Sequence, residues 1–247
     1  MIPTLQLGQF GRFSGATGAT DSQFADVLFL MNDGSALTTD QSANGCTVTL
    51  GSTPPVIDTS IKPSGFPSSI SFTSNANCWM QITGNTGYTN NTMQTGPFPG
   101  LCIEFWVYFP TNTQEGVMDW DMSDASSVKL ALRREATNNR INMNGYGITT
   151  GGTNKDGWTA AGWHFLRIQA SNANTYLSLN GGAGSVLALN SSCKAYNTFT
   201  FNLGRSIGSI DKAGTLKVAG VRVTKALRSS PSSAAFTLPS QDPWPTS

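Results

Sequence analysis

The chain has 247 residues, only 12% of them charged, and a formal net charge of +1. Charged residues are usually about 25% of a globular domain. So low and balanced a charge excludes the basic footprint of a nucleic-acid binder and a polybasic membrane patch. No stretch approaches the about 20 apolar residues of a membrane helix, and the chain is long enough to bury a sizeable core.

Residues 1–24 read as an N-terminal arm rich in Gly, Thr and Ser but carrying Leu5, Leu7, Phe10 and Phe13. Spaced apolar residues of this kind suit an arm that docks onto its own domain or a partner. It has no basic start and no apolar core, so it does not read as a secretory signal, and synthesis in a cytoplasm is expected. From residue 25 the pattern is of short strands: 26–33 closed by Asp33-Gly34, then 46–50, 69–73 and 78–83. A Gly/Asn/Thr loop, 84–100, leads into LCIEFWVYFP at 101–110. There Leu101, Ile103, Phe105, Val107 and Phe109 share one face, and Cys102, Glu104, Trp106 and Tyr108 the other. Apolar residues on both faces place this strand in the middle of a sheet with cover on both sides. Strands at 117–120 and 128–133 follow, the second by its alternation, and 140–144 and 146–149 flank Gly145. A hairpin of 163–170 with 175–179 closes through SNAN and ends at Asn180-Gly181, a left-handed turn signal. Strands at 199–203 and 216–224 come last. The tail after Arg228 is rich in Ser and Pro, and prolines at 231, 239, 243 and 245 bar it from a central strand. No helix is convincing. The reading is an all-β, two-sheet antiparallel β-sandwich of jelly-roll type.

In order along the chain, these elements resemble a known family. LFLMNDGS at 28–35, SISFTSNANCWMQI at 69–82, the strand at 101–110, GWHFLRIQ at 162–169 with TYLSLNGG at 175–182, FNLGRS at 201–206 and LKVAGVRVTKALR at 216–228 resemble the concanavalin A-like jelly rolls. The likeness is to their laminin-G-like branch, common in phage and bacterial proteins. AAFTLPSQDPW at 234–244 resembles the branch's wrap-around tail. The resemblance divides the chain into an anchoring arm (1–24), a jelly-roll domain (25–228) and a wrap-around tail (229–247). It implies no single activity, since members bind sugars, bind proteins or only pack.

Glu104 is the first candidate for chemistry. A glycoside hydrolase needs a second carboxylate about 5–10 Å away. Asp119, Asp121 and Asp124 in MDWDMSD are the obvious partners, but their D-x-D-x-x-D spacing only approaches the E-x-D-x-x-E of the glucanase relatives. The outer positions are each one methylene short. The stronger reading is a structural Glu104 held by backbone donors or by an Arg, with no catalytic residue assigned. The same Asp cluster could hold calcium at a loop end, yet it lacks the Gly and terminal Glu of a calcium loop; a solvated turn is the better reading, and neither a metal nor a cofactor is expected. His164, the one histidine, has no nucleophile elbow to serve and alternates with Leu166 and Ile168, as a structural residue would. Cys46, Cys78, Cys102 and Cys193 have no close-paired spacing, so zinc is disfavoured and free buried thiols are expected.

Among Trp79, Trp106, Trp120, Trp158, Trp163 and Trp244, any could give a platform for a sugar ring. Trp106 and Trp163 read as core. Trp120 and Trp158 adjoin loop sequence and are the candidate ligand-binding residues. Arg133, Arg134, Arg140, Arg205 and Lys212 are scattered, which argues against nucleic acid. The function expected is a non-enzymatic structural or decoration protein of a phage-like virion, attached through the arm to other virion proteins as a homo-oligomer and exposing a lectin-like sandwich. The alternative is a carbohydrate-binding module that recognises host-surface glycans, and a glucanase-like hydrolase ranks below both. Membrane insertion is not expected.

Overall fold

A computed structural model of the protein describes residues 21, 23–32, 36–87, 91–92, 100–111, 113, 115–121, 129–135, 140–146, 152–171, 174–189, 194–195, 198–205, 215–228 and 234–245. The elements below are those of the described residues. A 3-10 turn, Phe24–Asp26, precedes seventeen strands. In chain order these are β1 (Val27–Met31), β2 (Thr47–Leu50), β3 (Val56–Asp58), β4 (Ser69–Phe72), β5 (Met80–Asn85), β6 (Asn91–Thr92), β7 (Leu101–Tyr108), β8 (Glu115–Asp121) and β9 (Lys129–Arg134). There follow β10 (Arg140–Tyr146), β11 (Gly152–Asp156), β12 (Trp163–Ser171), β13 (Asn174–Leu179), β14 (Ser185–Ala188), β15 (Lys194–Ala195), β16 (Thr198–Leu203) and β17 (Leu216–Thr224).

They form an eight-stranded sheet in the order β14-β13-β12-β7-β17-β4-β3, with β1 also on β17, and a seven-stranded sheet in the order β11-β10-β9-β8-β16-β5-β2. All pairings are antiparallel, and β6 with β15 makes a small third sheet. The molecule is thus an all-β sandwich of two antiparallel sheets, as the alternation of the sequence requires.

β7 is the central strand its composition demands, flanked by β12 and β17. Its residues Leu101, Ile103, Phe105 and Val107 enter the core between the sheets. From the other sheet they meet Met80, Ile82, Met118, Trp120, Leu130, Leu132, Ile141, Met143, Phe201 and Leu203. Its other face is covered too. Trp106 joins Val27, Leu30, Phe66, Phe165, Ala219 and Trp244 in a second apolar cluster, on the outward side of the eight-stranded sheet. Trp244 reaches that cluster because the tail lies across it: the Trp244 N–H donates to Asn32 Oδ1 at 2.7 Å, and Asn32 Nδ2 donates to the Trp244 carbonyl at 2.8 Å. The Phe236 N–H likewise donates to the carbonyl of Gly181. Asn180 and Gly181 both have positive φ, 50° and 76°, and the Gly182 N–H closes onto the Leu179 carbonyl, so the Asn-Gly turn has the left-handed form its sequence signals.

One local expectation is corrected. Residues 140–146 are one strand that runs through Gly145, which pairs with Leu130. β3, β11 and β14 are edge or near-edge strands that carry no clear apolar alternation of their own.

Candidate functional site

Glu104 sits on the outward face of β7, directly opposite Arg167 on β12 and Arg222 on β17. It is fully buried. Arg167 Nε donates to its Oε1 at 2.6 Å, and Arg222 Nε and Nη2 donate to its Oε2 at 3.0 and 2.6 Å. Arg228 lies at 3.9 Å. Asp21 completes the cluster, accepting from Arg222 Nη1 at 2.9 Å and Arg228 Nη1 at 2.7 Å. The tail roofs it, with Phe236 stacked 3.4 Å from Arg167 and Trp244 3.6 Å from Arg222. Burial alone would raise the Glu104 pKa, but the charges of Arg222, Arg167 and Arg228 outweigh it and hold the carboxyl below its usual range. This is a structural clasp. An Arg holds the carboxylate, as the sequence favoured.

Neither Asp119 nor Asp121 comes to Glu104 across the fold. Met118 and Trp120 of β8 point into the core, so Asp119 and Asp121 point outward from the opposite sheet. The two outward faces are separated by the whole sandwich, whose sheets alone lie about 10 Å apart. Asp119 is fully buried, and Asp124 lies outside the described residues. Among the described residues no three His, Cys, Asp or Glu side chains gather as a metal site.

The two tryptophans proposed as a sugar platform are corrected. Trp120 is 3% exposed and Trp158 is not exposed at all. Trp120 is inward because it shares the phase of Met118 and stands opposite Phe201 and Leu130. Trp158 is wedged against Phe109, at 5.3 Å, and under the guanidinium of Arg134, at 4.8 Å. Trp106 is core, Trp163 is half-buried against Tyr108, and Trp244 belongs to the tail. Arg134 is itself buried, bound to the carbonyls of Thr111 and Thr113. Arg140 pairs with Asp156 at the surface at 2.7 Å, and Lys212 lies outside the described residues.

His164 faces inward, opposite Val107. The Phe165 N–H donates to Asn180 Oδ1 at 2.9 Å, which leaves Asn180 Nδ2 to donate to His164 Nδ1, also at 2.9 Å. Nε2 lies 2.9 Å from the Thr159 carbonyl and 3.1 Å from the Thr159 N–H, so both ring nitrogens are held by neighbours. Burial lowers the His164 pKa, so the ring is neutral near pH ~7. It is a structural histidine. Cys46, Cys78 and Cys102 are buried free thiols, and Cys193 lies outside the described residues.

What remains is the outward face of the seven-stranded sheet. With the apolar residues of β5, β8, β9, β10 and β16 in the core, the alternate ones form a polar row. Register aligns Thr49, Gln81, Asn202, Asp119, Ala131 and Asn144 across six strands. Asn202 ties the row together from beneath: it, Asp119 and Ala131 are buried, so the accessible groups are those at the ends and rim of the row. Its Nδ2 donates to Asp119 Oδ1 at 2.5 Å, while its Oδ1 accepts from Gln81 Nε2 at 3.2 Å and Arg205 Nη2 at 3.1 Å. The Arg205 guanidinium lies 4.1 Å from the centre of the Trp79 ring, and both are half-buried at the rim. Arg205 Nε is buried and unmatched. Amides, hydroxyls and a guanidinium stacked on an indole can hydrogen-bond a hydroxyl-rich ligand and offer it a flat face. Trp79 and Arg205 stood in the sequence as members of larger sets. For Trp79 the signal is phase, since it precedes Met80, whose side chain is core; Arg205 lies past the end of β16, where alternation no longer places a side chain.

No family model matches the sequence, and no curated protein matches it. Solved structures do match in fold. The botulinum neurotoxin serotype G binding domain superposes with a TM-score of 0.59 at 12% identity, over 81% of this chain and 48% of that one. The binding domain of Paraclostridial Mosquitocidal Protein 1 gives 0.58 at 12% identity, over 83% and 50%. A structure described by the dependence of botulinum neurotoxin type C cell entry on two ganglioside molecules gives 0.53 at 12% identity, over 83% and 49%. The chain spans about half the length of these solved domains, and the likeness is one of fold: a two-sheet antiparallel β-sandwich shared with binding domains.

Proposed function

We propose that the protein is a non-enzymatic, lectin-like binding module of the concanavalin A-like, laminin-G-like kind, which takes a glycan on the outward face of its seven-stranded sheet. The observation that carries the reading is the half-buried rim of that sheet, where the Arg205 guanidinium is stacked on Trp79 and held, with Gln81, by the buried Asn202 beneath. Fold likeness to toxin binding domains, and to a structure described by its neurotoxin's interaction with two ganglioside molecules, supports a binding role. The buried state of both Glu104 and Asp119, on opposite faces, supports the absence of hydrolysis.

The module is fastened elsewhere through the arm. The first described residue, Asp21, is clasped by Arg222 and Arg228 on the outward side of the eight-stranded sheet. Asp21 thus lies on the side opposite the polar row. This supports the reading of a decoration protein, in several copies on a phage-like virion, with the arm inward and the polar face toward the host.

The test is retention of the full chain by host polysaccharides in affinity electrophoresis, with reducing sugar assayed in parallel. Retardation without sugar release, weakened about tenfold or more by Trp79→Ala or Arg205→Ala, is expected. Free migration on every polysaccharide, or release of sugar, overturns the reading.

A further inference from the structure

Among the described residues, every arginine but one has its charge met by a carboxylate or by carbonyls. Arg167 and Arg222 hold Glu104, and Arg222 and Arg228 hold Asp21. Arg140 pairs with Asp156 at 2.7 Å, and Glu135 stands 3.9 Å from Arg133. Arg134 is buried on the carbonyls of Thr111 and Thr113. Arg205 is the exception. It makes one hydrogen bond, from Nη2 to Asn202 Oδ1 at 3.1 Å, and no carboxylate of the described residues pairs with it. The Asp119 carboxylate accepts from Asn202 Nδ2 and reaches Arg205 only through that amide. Arg205 Nη1 bonds nothing and is not buried, so it is open to a ligand.

Trp79 holds the guanidinium at 4.1 Å from its ring centre. Such a contact orients a cation without neutralising it. A half-buried guanidinium has given up part of its hydration, and its planar fork suits an anion with which it forms charge-assisted hydrogen bonds. Beside it stands a neutral acceptor. Gln81 Nε2 donates to the same Asn202 Oδ1 at 3.2 Å, which makes the two side-chain heads neighbours. Gln81 Oε1 likewise bonds nothing and is not buried. A neutral sugar would leave the Arg205 charge unmet, and a bare carboxylate would bring no donor to Gln81. A sugar ring that carries both an anionic group and hydroxyls serves the two together.

We propose that the glycan taken at this rim is acidic: an anionic substituent of the sugar accepts from Arg205 Nη1, and a hydroxyl donates to Gln81 Oε1. The proposal rests on the glycan reading above and names the class of its ligand. A carboxylate and a sulfate ester both supply the anion, and the test separates them.

The test is biolayer interferometry of the full chain on immobilised acidic polymers, each beside a neutral counterpart. Polygalacturonate, hyaluronate and polysialate are paired with their carboxyl-reduced forms, and dextran sulfate with dextran. At least one acidic polymer is expected to bind, about tenfold or more tighter than its counterpart. The pair that responds identifies the anion as carboxylate or sulfate. This comparison uses the unaltered protein, so it stands whether or not a variant folds. Arg205→Gln, checked for an unchanged thermal melt, should lower the affinity for the acidic polymer to that for the neutral one. Arg140→Gln, which removes a surface arginine of the same sheet, should change nothing. Equal affinity for acidic and neutral forms, or binding of neutral forms alone, overturns the acidic class and leaves the glycan reading standing. Acidic binding that survives Arg205→Gln, or that falls equally in Arg140→Gln, also overturns the acidic class alone. No binding of any polymer overturns the acidic class and the glycan reading together.

Discussion

Glu104 has an arginine on each neighbouring strand, and this fixes both its charge and its worth. Replacing it with Gln leaves Arg167, Arg222 and Arg228 buried around a neutral group. Removing one partner of a buried pair costs about 3–5 kcal/mol, so Glu104→Gln should lower the urea midpoint sharply; an unchanged midpoint would refute the clasp. Because its folded pKa is held down, the stability it contributes is present above the unfolded carboxyl value, about 4.3, and is lost as pH falls through the folded value. His164 acts in a different window. Its folded pKa is lowered as well, but the charged form is now the disfavoured one. The unfolded chain binds the extra proton first, so stability falls as pH drops below about 6.5. The protonated ring would aim Nδ1–H at the Asn180 amide that now donates to it. As His164 is the one histidine in the chain, the loss of stability between about pH 6.5 and pH 5 should disappear in His164→Gln, measured by urea unfolding across that range. The residue scale is also where the sequence was hardest to read. Phase decides burial: Trp120 is in register with Met118 and is core, though it adjoins a loop. The partners of Glu104 came from registers of β12 and β17 that no local pattern reveals.

Among the elements, long strands with strict alternation were legible. β7, β12 and β17 stand close to where their apolar faces put them. β3, β11 and β14 were not, because their residues carry little apolar surface. Their pairing is dictated by neighbours, as for β11, GTNKD, held to β10 by register and by Asn154. β17 shows a further element-level device. Its pairing with β7 shifts between Ala219 and Arg222, at Gly220, whose φ is +57°. A Cβ there would stand 2.6 Å from the Phe66 ring. The bulge lets Phe66 and Trp244 pack onto the outward side of the eight-stranded sheet and sets Arg222 opposite Glu104. Gly220→Ala meets an unfavourable φ and an occupied space at once, and should cost about 1–3 kcal/mol or more. Chemical denaturation measures it, and a neutral outcome would mean that Phe66 is free to move away.

At the scale of the molecule, the two sheets have unlike outward faces. The eight-stranded sheet is capped by the chain itself, with residues 21, 23–26 and 234–245 over Arg167, Arg222 and the second apolar cluster. The seven-stranded sheet presents the polar row. If attachment and binding fall on opposite sides as proposed, they should be separable by cutting the chain. Deleting residues 1–20 keeps Asp21 and with it the ion pairs to Arg222 and Arg228, so the sandwich should melt as the full chain does and retain its glycan affinity. Incorporation into particles, followed by sedimentation of particle-bound against free protein, should be lost. Deleting residues 1–26 also removes Asp21 and the Asp26 carbonyl that accepts from the Lys225 N–H, and leaves an uncompensated arginine beside Glu104; this longer deletion should lower the melting temperature. The contrast between the two cuts separates anchoring from folding. Normal particle incorporation after the shorter deletion would remove the arm from the attachment role, and loss of glycan affinity with it would place the binding surface on the arm rather than on the seven-stranded sheet.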